Sequence, residues 1–585
     1  MTRTANIDRQ KATGAHYTPL PLGRFVARRI LSHLHAERHK TLHVLDPACG
    51  SGALLEAFEL AAREEGFGPI EYVGVEADDC ALDSACHRLD GLARDRLTLV
   101  HGDFLQMIAP TRGQAGLWEP PRHTAAMAES FDVVIGNPPY VRTQVLGAAE
   151  SRRLAERFDL SGRVDLYQAF LVAATATLRF GGILGIIVSN RFLSTMTGAN
   201  VRRYLASHYD ICEVIDLGDT KLFKAAVLPA VLIGRRKKTA QPFVSPSPTR
   251  FLRIYSSPHS AGKVGVVSQS SSIYEVLDKA RNGIYRVASG MYRVSTGTID
   301  TSRDTGRVWS LTTHHESQWV QQVRDRSAGF FEDIAQIRVG IKSTADSVFI
   351  RSDWAGLPAA LCPESSLLLH ILSHEDAKRW ARKTGELPAQ RVLYPHEIRR
   401  GRRTAICLAH FPFAKRYLES HEIRLRARRY LAAGGRKWYE IWVPQDPAAW
   451  ADPKIVFPDI SPKPCFFLDR SGSIVNGNCY WITLRPGIPD EMLFLLLGVA
   501  NSSVMTRFHD LAFGNKLYAG RRRYITQYVG KYPYPDPSTH QARELVNAVR
   551  ELVDLAERGN ENLKLSQIDS RIDDLAEKCF GVKPE

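Results

Sequence analysis

Cysteine is scarce: nine in 585 residues, none in a Cys-x-x-Cys pair, with Cys80 and Cys86 the nearest two. That excludes a disulfide framework or a cysteine-held zinc site and leaves nine thiols suited to a reducing compartment. No cluster of ligand residues with metal spacing appears, so no metal is expected. Long apolar runs are also missing. No stretch approaches the roughly 20 residues of a membrane helix, and Met1 to Lys11 is polar, unlike a secretory signal. A cytoplasmic protein with no membrane partner is expected. Internal repeats and long low-complexity tracts are absent too, which excludes solenoids and disordered tails.

Positive charge is in excess. The formal net charge is +15 and the pI is near 9.4. Between Arg391 and Lys437 there are 13 Lys/Arg against 3 Asp/Glu. Such a cluster is the footprint of a phosphate-tracking surface, although a solvated helix face fits one basic run equally well.

A chain of this length exceeds one compact domain. From about residue 20 to 235, apolar runs of strand length recur at Leu42 to Leu45, Tyr72 to Val75, Leu97 to Val100, Val133 to Ile135, Ile183 to Val188 and Val214 to Leu217. Amphipathic stretches, such as Ala53 to Arg63 and Tyr167 to Leu178, lie between them. The alternation predicts a doubly wound α/β sheet that binds ligands at the carboxyl ends of its strands. Lys237 to Thr249 reads as a linker. Beyond about 330, short strands, turns and aromatics predict an irregular α+β domain, and Gln541 to Phe580 has helical periodicity. The domains expected are therefore 1–240, a linker and the start of the second, recognition region over 241–330, the main second domain 331–540, and a helical segment 541–585.

One segment joins the first predicted strand to the first helix: His43-Val-Leu-Asp-Pro-Ala-Cys-Gly-Ser-Gly52. Glycines here let the backbone approach a ligand. Gly50 and Gly52 are followed by Leu55, so the third glycine of a dinucleotide fingerprint is missing. Asp46 at the strand end instead suits a cationic amino-acid ligand such as S-adenosylmethionine, which carries no phosphate. Glu76 follows the next strand and can accept both ribose hydroxyls. Asp103 follows the third and can accept from an adenine amine, with Phe104 packing on the ring. Each acid alone fits an ordinary helix-cap carboxylate equally well; three at successive strand ends favour one shared ligand.

The most specific segment is Phe131-Asp-Val-Val-Ile-Gly-Asn-Pro-Pro-Tyr140. A buried strand runs into Asn137, and Pro138 and Pro139 then make a rigid turn that lacks N–H donors. An adenine amine is a poor nucleophile because its lone pair is conjugated into the ring. The Asn137 side-chain oxygen and the Pro138 carbonyl can each take one N–H and turn the nitrogen towards sp³ geometry. Proximity and electrostatics would dominate, with no covalent intermediate. Tyr140 would stack on the base, which must first leave the duplex.

On these motifs the sequence resembles the amino-methylating DNA methyltransferases of restriction–modification systems. Within them it is most similar to the N6-adenine group whose cofactor motifs come first and whose target-recognition domain is C-terminal. The resemblance covers residues 11 to 235 strongly and patches of 330 to 580 more weakly. It implies a class I S-adenosylmethionine-dependent methyltransferase fold plus a C-terminal α+β DNA-recognition domain. It implies cofactor contacts from Tyr17, Thr18, Pro19, Asp46, Pro47, Ala48, Gly50, Gly52, Glu76, Asp103, Phe104, Asn137 and Asp165. The catalytic motif is Asn137, Pro138, Pro139 and Tyr140, and Phe223 matches a second aromatic placed against the flipped base. In the C-terminal half, Ile337 to Lys342, Ser502-Ser503 with Met505, and Tyr532 to Pro535 look similar to recognition-domain segments. There too, Arg436, Lys437, Trp438 and Tyr439, and Arg521, Arg522, Arg523 and Tyr524, mix cations with aromatics as DNA-contacting loops do. The resemblance implies duplex DNA as partner, a separate cognate restriction endonuclease, and action as a monomer.

Other readings exist. N4 methylation of cytosine uses much the same pocket, usually with Ser or Asp in place of Asn137, and stays open. A protein glutamine methyltransferase shares the Asn-Pro-Pro-Tyr turn but has no use for about 350 further residues with a basic cluster. Cytosine C5 methylation needs a cysteine nucleophile, and Pro464-Cys465 lies far from the α/β region. A fused N-terminal nuclease has no room before motifs that begin by residue 13. A non-catalytic DNA-binding subunit has no need of the intact acid and Asn-Pro-Pro-Tyr series.

Overall fold

The computed structural model describes residues 18–583 apart from 36–37, 93, 109–126, 141–146, 161–163, 196–197, 223–227, 239–247, 258–266, 302–307, 383–384, 400–401, 515, 518–519 and 560–561. The chain divides into two compact units. One comprises Met1–Glu316 with Phe513–Gly520, the other Ser317–Ala512 with Arg521–Glu585.

The first unit is built on an eleven-stranded sheet. Its strands are β1 (Leu42–Asp46), β2 (Ile70–Glu76), β3 (Leu97–His101), β4 (Phe131–Gly136), β5 (Leu178–Ser189), β6 (Tyr209–Asp216), β7 (Pro229–Arg236), β8 (Thr249–Ser256), β9 (Val267–Gln269), β10 (Gly283–Val287) and β11 (Gly290–Ile299). Their spatial order is β3-β2-β1-β4-β5-β7-β6-β8-β11-β10-β9. From β3 to β5 every neighbouring pair is parallel. β7 alone reverses between β5 and β6. This is the expected doubly wound sheet of a class I S-adenosylmethionine-dependent methyltransferase.

Both faces of the parallel region are covered, which is why its strands read as unbroken apolar runs. Successive residues alternate between two cores. Val133 and Ile135 of β4 face one with Val44, while Val134 faces the other with Leu45. The first core is closed by α1 (Leu20–Leu31) and α2 (Ala53–Glu64), the second by α5 (Leu166–Thr177). Two short connections bear on the site: α3 (Asp79–Arg88) after β2, and the single turn α4 (Phe104–Met107) after β3.

The stretch 241–330 differs from the expected linking region. β8 pairs in parallel with β6, and β11, β10 and β9 continue the same sheet outward. The helix α6 (Ile273–Lys279) then packs on α1. The sheet edge left by β6 is covered by this extension, so the unit runs on to Glu316.

The second unit is α+β. A five-stranded sheet is formed by β12 (Ala335–Val339), β13 (Trp380–Ala381), β16 (Lys454–Pro458), β17 (Phe467–Asp469) and β18 (Cys479–Leu484), in the order β12-β18-β16-β17-β13. A separate hairpin pairs β14 (His396–Arg399) with β15 (Arg402–Ala405). Trp354, Tyr417, Trp450 and Trp481 fill its main core. α7 (Glu491–Asn501) is apolar around its whole circumference and buried along almost all its length, packed against α8 (His540–Arg558). α8 pairs with α9 (Asn562–Phe580), so the predicted helical tail is an integral part of this unit. No helix among the described residues is long and apolar enough to cross a membrane.

Candidate active site

β1 ends at Asp46, and the glycine loop begins there. Gly50 and Gly52 have φ of 53° and 77°, the left-handed region that side chains avoid. At Gly52 a Cβ would also press on Leu89 at 2.9 Å, so only glycine lets α2 start this close to the neighbouring helix. The loop is stitched to β2, because the Cys49 amide donates to the Val75 carbonyl at 2.9 Å and the Gly50 amide to Glu76 Oε2 at 2.8 Å.

Asp46 is fully buried. Its Oδ1 accepts from the Ala48 amide at 3.1 Å. Its Oδ2 has no hydrogen-bond partner among the described residues. Burial pushes its pKa up to about 8; the Ala48 amide opposes that shift and the charge of Glu76 adds to it. A buried carboxylate oxygen without a partner is costly unless a cation meets it. The ammonium of S-adenosylmethionine fits that oxygen, so the residues present suit the cofactor.

Glu76 does more than wait for a ribose. Its Oε1 accepts from the Ala77 and Asp78 amides at 2.9 Å while Oε2 holds Gly50, so the carboxylate fixes the pocket wall and keeps lone pairs over for hydroxyls. Asp103 caps α4, accepting from the Leu105 amide at 2.9 Å, with Gln106 Nε2 on its other oxygen at 3.0 Å. Phe104 differs from expectation. Its ring is buried in the core and stacked on Phe170, with centroids 5.9 Å apart, so it anchors α4 and is not an open platform for an adenine. Asp165 stands at the N-terminus of α5 and is half-buried.

β4 is buried along its whole length and delivers Asn137 at its carboxyl end, next to β1 in the sheet. Close approach is possible because residue 136 is glycine. A Cβ there would stand 3.3 Å from the Pro47 ring and 3.7 Å from Asp46 Oδ1. The cofactor loop and the Asn-Pro-Pro-Tyr turn are thus one continuous surface. Asn137 Nδ2 donates to Thr18 Oγ1 at 3.1 Å, which brings the expected pre-loop segment to the Asn-Pro-Pro-Tyr turn. Thr18 and Pro138 are buried, and Pro19, Asn137, Pro139 and Tyr140 are half-buried at this end of the sheet. Tyr17 and Phe223 lie outside the described residues.

A further acid at a strand end went unread in the sequence. Asp216 closes β6 and is fully buried; Tyr255 of β8 donates to its Oδ2 at 2.7 Å and Asn190, just past β5, donates to its Oδ1 at 3.1 Å. Asn190 also reaches the Tyr255 hydroxyl at 3.2 Å. Burial raises the pKa of Asp216 and of Tyr255. The cluster ties three strand ends together beneath Leu217 to Leu222, the segment leading to Phe223. The signal was available: Val214 to Asp216 repeats the apolar strand ending in an acid seen at Asp46 and Glu76.

The expected DNA contacts in the second unit divide. Tyr439 and Tyr524 are corrected to core residues, 6% and 1% exposed. The Tyr439 hydroxyl donates to the Ile406 carbonyl at 2.7 Å, and the Tyr524 ring packs on Phe466 and His509. Buried rings cannot stack on a base. Arg522 makes a two-point ion pair with Asp510 at 2.7 and 2.8 Å, Arg523 one with Asp459 at 3.1 Å, and Arg436 donates to the carbonyls of Ile441 and Trp442. These arginines brace the fold. Lys437 and Arg521 are exposed, and Trp438 is half-buried under Arg426, 5.3 Å from its ring.

Comparison with known proteins agrees with this geometry. A family model described as Eco57I restriction-modification methylase matches residues 105–223, the stretch holding Asn137 to Tyr140. Over 578 residues, 98% of each chain, the sequence is 40% identical to the Type II methyltransferase M.BanIII of Aneurinibacillus aneurinilyticus. It is 23% identical over 529 residues, 85% of each chain, to the Type II methyltransferase M.BstVI of Geobacillus stearothermophilus. Among solved structures, the DrdV–DNA complex seen by cryo-electron microscopy shares the fold over 95% of this chain and 58% of its own, with a TM-score of 0.52 and 12% identity.

Proposed function

From the premise that the chain belongs to the Type II methyltransferases of restriction–modification systems, we propose that it methylates the exocyclic N6 of adenine at a specific site in duplex DNA. It acts as a monomer and shields that site from a separate cognate endonuclease. The observation that carries the adenine reading is a carboxamide, Asn137, at the end of β4, beside the buried Asp46 of the cofactor loop.

S-adenosylmethionine supplies, when bound, a methyl group on a positively charged sulfur that departs as a neutral thioether. The protein's own residues do the rest. Asp46 Oδ2 takes the ammonium, and Glu76 and Asp103 offer acceptors to the ribose hydroxyls and the adenine amine. At the target, Asn137 Oδ1 and the Pro138 carbonyl accept the two N–H groups of the base. That draws the nitrogen lone pair out of conjugation and stabilises the positive charge that grows on it. The proton shed by the methylated amine passes to water. Tyr140 gives the extruded base a stacking face, offsetting part of the few kcal/mol lost on unstacking.

The test is methyl transfer from labelled S-adenosylmethionine to mixed-sequence duplex DNA, digested to nucleosides. N6-methyladenine from the unaltered protein, lost in Asn137→Ala while cofactor binding persists, is the expected result. N4-methylcytosine, or undiminished transfer by Asn137→Ala, overturns the proposal.

A further inference from the structure

The hairpin β14–β15 carries an arrangement that folding alone does not explain. Its register sets His396 against Ala405, Glu397 against Thr404, Ile398 against Arg403, and Arg399 against Arg402. Side chains of paired residues share a face and successive pairs alternate faces. Arg399 and Arg402 are therefore cross-strand neighbours on one face with Glu397 and Thr404. Ile398 and Arg403 are neighbours on the other. Like charges placed directly opposite destabilise a ribbon. Arg399 has a partial counter-charge in Glu397, 3.6 Å away, with both side chains open to solvent. Arg402 has no ion pair among the described residues. On the second face Ile398 is 44% exposed, an apolar side chain held in water opposite Arg403.

The root of the ribbon is the opposite of its outer half. The His396 ring is buried and accepts from the Ile441 amide at 3.1 Å; burial, with Arg403 and Arg436 nearby, drives its pKa down to about 3. The Tyr394 hydroxyl donates to the Pro444 carbonyl at 2.7 Å, and the Ile406 amide donates to Pro395 at 3.2 Å. Arg403 donates to the Gln445 carbonyl. A rigid root with an exposed, cationic, partly apolar outer half is a probe. Four residues per strand give a length of about 14 Å, and two strands about 5 Å apart fit a major groove about 12 Å wide.

Resting on the reading of this protein as a duplex-DNA methyltransferase, we propose that the β14–β15 hairpin is its groove-reading ribbon. It enters the major groove of duplex DNA, setting Arg399 and Arg402 on phosphates or guanine edges. Ile398, on the opposite face of the ribbon, meets a thymine methyl, and Arg403 beside it is held to the root by the Gln445 carbonyl. Phosphates supply the counter-charge that the paired arginines lack, and apolar contact with thymine gives the exposed isoleucine a role. The excess of cations from Arg391 to Lys437 sits around this ribbon in sequence and would draw the duplex towards it.

The experiment compares the full-length protein with Arg399→Ala/Arg402→Ala and with Ile398→Ser. Duplex affinity is read over a salt series, and methylated sites are mapped by sequencing. Circular dichroism and denaturant unfolding report that each variant is folded. The double variant is expected to bind duplex at least tenfold more weakly, with a log–log salt slope shallower by about 2, since each phosphate no longer neutralised accounts for about 0.9. Ile398→Ser is expected to methylate a broader set of sites. Hydrogen exchange in the unaltered protein should show 396–405 protected when duplex is added. If the unaltered protein binds and methylates duplex DNA while affinity, slope, site spectrum and hairpin exchange are all unmoved, the ribbon is overturned and the methyltransferase reading stands. If the unaltered protein transfers no methyl group to duplex DNA, the methyltransferase reading itself has failed.

Discussion

Asn137 Nδ2 donates to Thr18 Oγ1 across 3.1 Å, joining residues 119 apart in the chain. A carboxamide can present its oxygen or its nitrogen to a substrate, and the choice decides whether it accepts or donates. By engaging the nitrogen, Thr18 turns the oxygen to the other side, where the proposed reaction needs an acceptor for an amine N–H. On that proposal Thr18 acts as a positioning residue. Thr18→Val keeps the shape and removes the hydroxyl, so single-turnover methyl transfer should slow by about tenfold, the worth of one hydrogen bond. Thr18→Ser should restore the rate. Equal rates for the valine and serine variants would show that the hydroxyl does not orient Asn137.

The buried Asp46 predicts a pH signature. Without cofactor its carboxyl holds a proton up to about pH 8, whereas in the unfolded chain it lets go near 3.8. The folded state binds the extra proton in that interval. The stability it lends is therefore full below about 4 and is lost as pH rises through about 8. Binding of a cationic cofactor runs the other way, since it needs the carboxylate. Cofactor affinity should climb from pH 6 to a maximum near 8, then turn over as the ligand's own ammonium deprotonates at about 8. Calorimetry in two buffers of different ionisation enthalpy should detect a proton released on binding at pH 7. Asp46→Asn should flatten the rising limb. A flat profile in the unaltered protein would mean that Asp46 is already ionised.

Asp216, Tyr255 and Asn190 form a closed set of buried hydrogen bonds, so removing one member leaves others unmet. Tyr255→Phe keeps the ring and deletes the hydroxyl serving both Asp216 Oδ2 and Asn190. Denaturant unfolding should show a loss of about 1–3 kcal/mol. Because the cluster underlies the segment leading to Phe223, transfer should also slow while cofactor affinity holds. Unchanged stability would place water where the hydroxyl was.

The parts of this fold that were legible in sequence share a cause. Parallel strands buried on both faces give contiguous apolar runs, and the six strands expected from them all lie within observed strands or within one residue of their ends. The Ala53 and Tyr167 helices were found to within a residue because Gly52 and Asp165 punctuate their starts. The extension β8–β11 was not legible. Thr249 to Ser256 breaks its apolar run with Arg250 and Arg253, although Phe251 on one face and Leu252 and Ile254 on the other are buried. Nor could sequence show that Arg522 and Arg523 are held by Asp510 and Asp459, or that Tyr439 and Tyr524 are walled in. A cation beside an aromatic looks the same whether it meets DNA or braces a core, and tertiary partners alone decide. Asp46 and Glu76 were read at the ends of strands, and the parallel order β3-β2-β1 sets those ends side by side.

Lys454 of β16 and Asp469 of β17 are 0% and 4% exposed side chains in an ion pair of 2.7 Å, and Lys454 also donates to the Trp450 carbonyl at 2.8 Å. Two charges are thus buried where the sheet meets the Trp450–Trp481 cluster. Their attraction offsets the loss of hydration only while both are present. Lys454→Met leaves a lone buried carboxylate and should destabilise the second unit by about 3–5 kcal/mol. Lys454→Met/Asp469→Leu removes both charges at similar volume and should recover most of that stability, or exceed it. Guanidinium unfolding of the three proteins separates the cases. If the double variant is as unstable as the single, the pair contributes through geometry that no apolar replacement supplies, and β16 and β17 depend on it for their register.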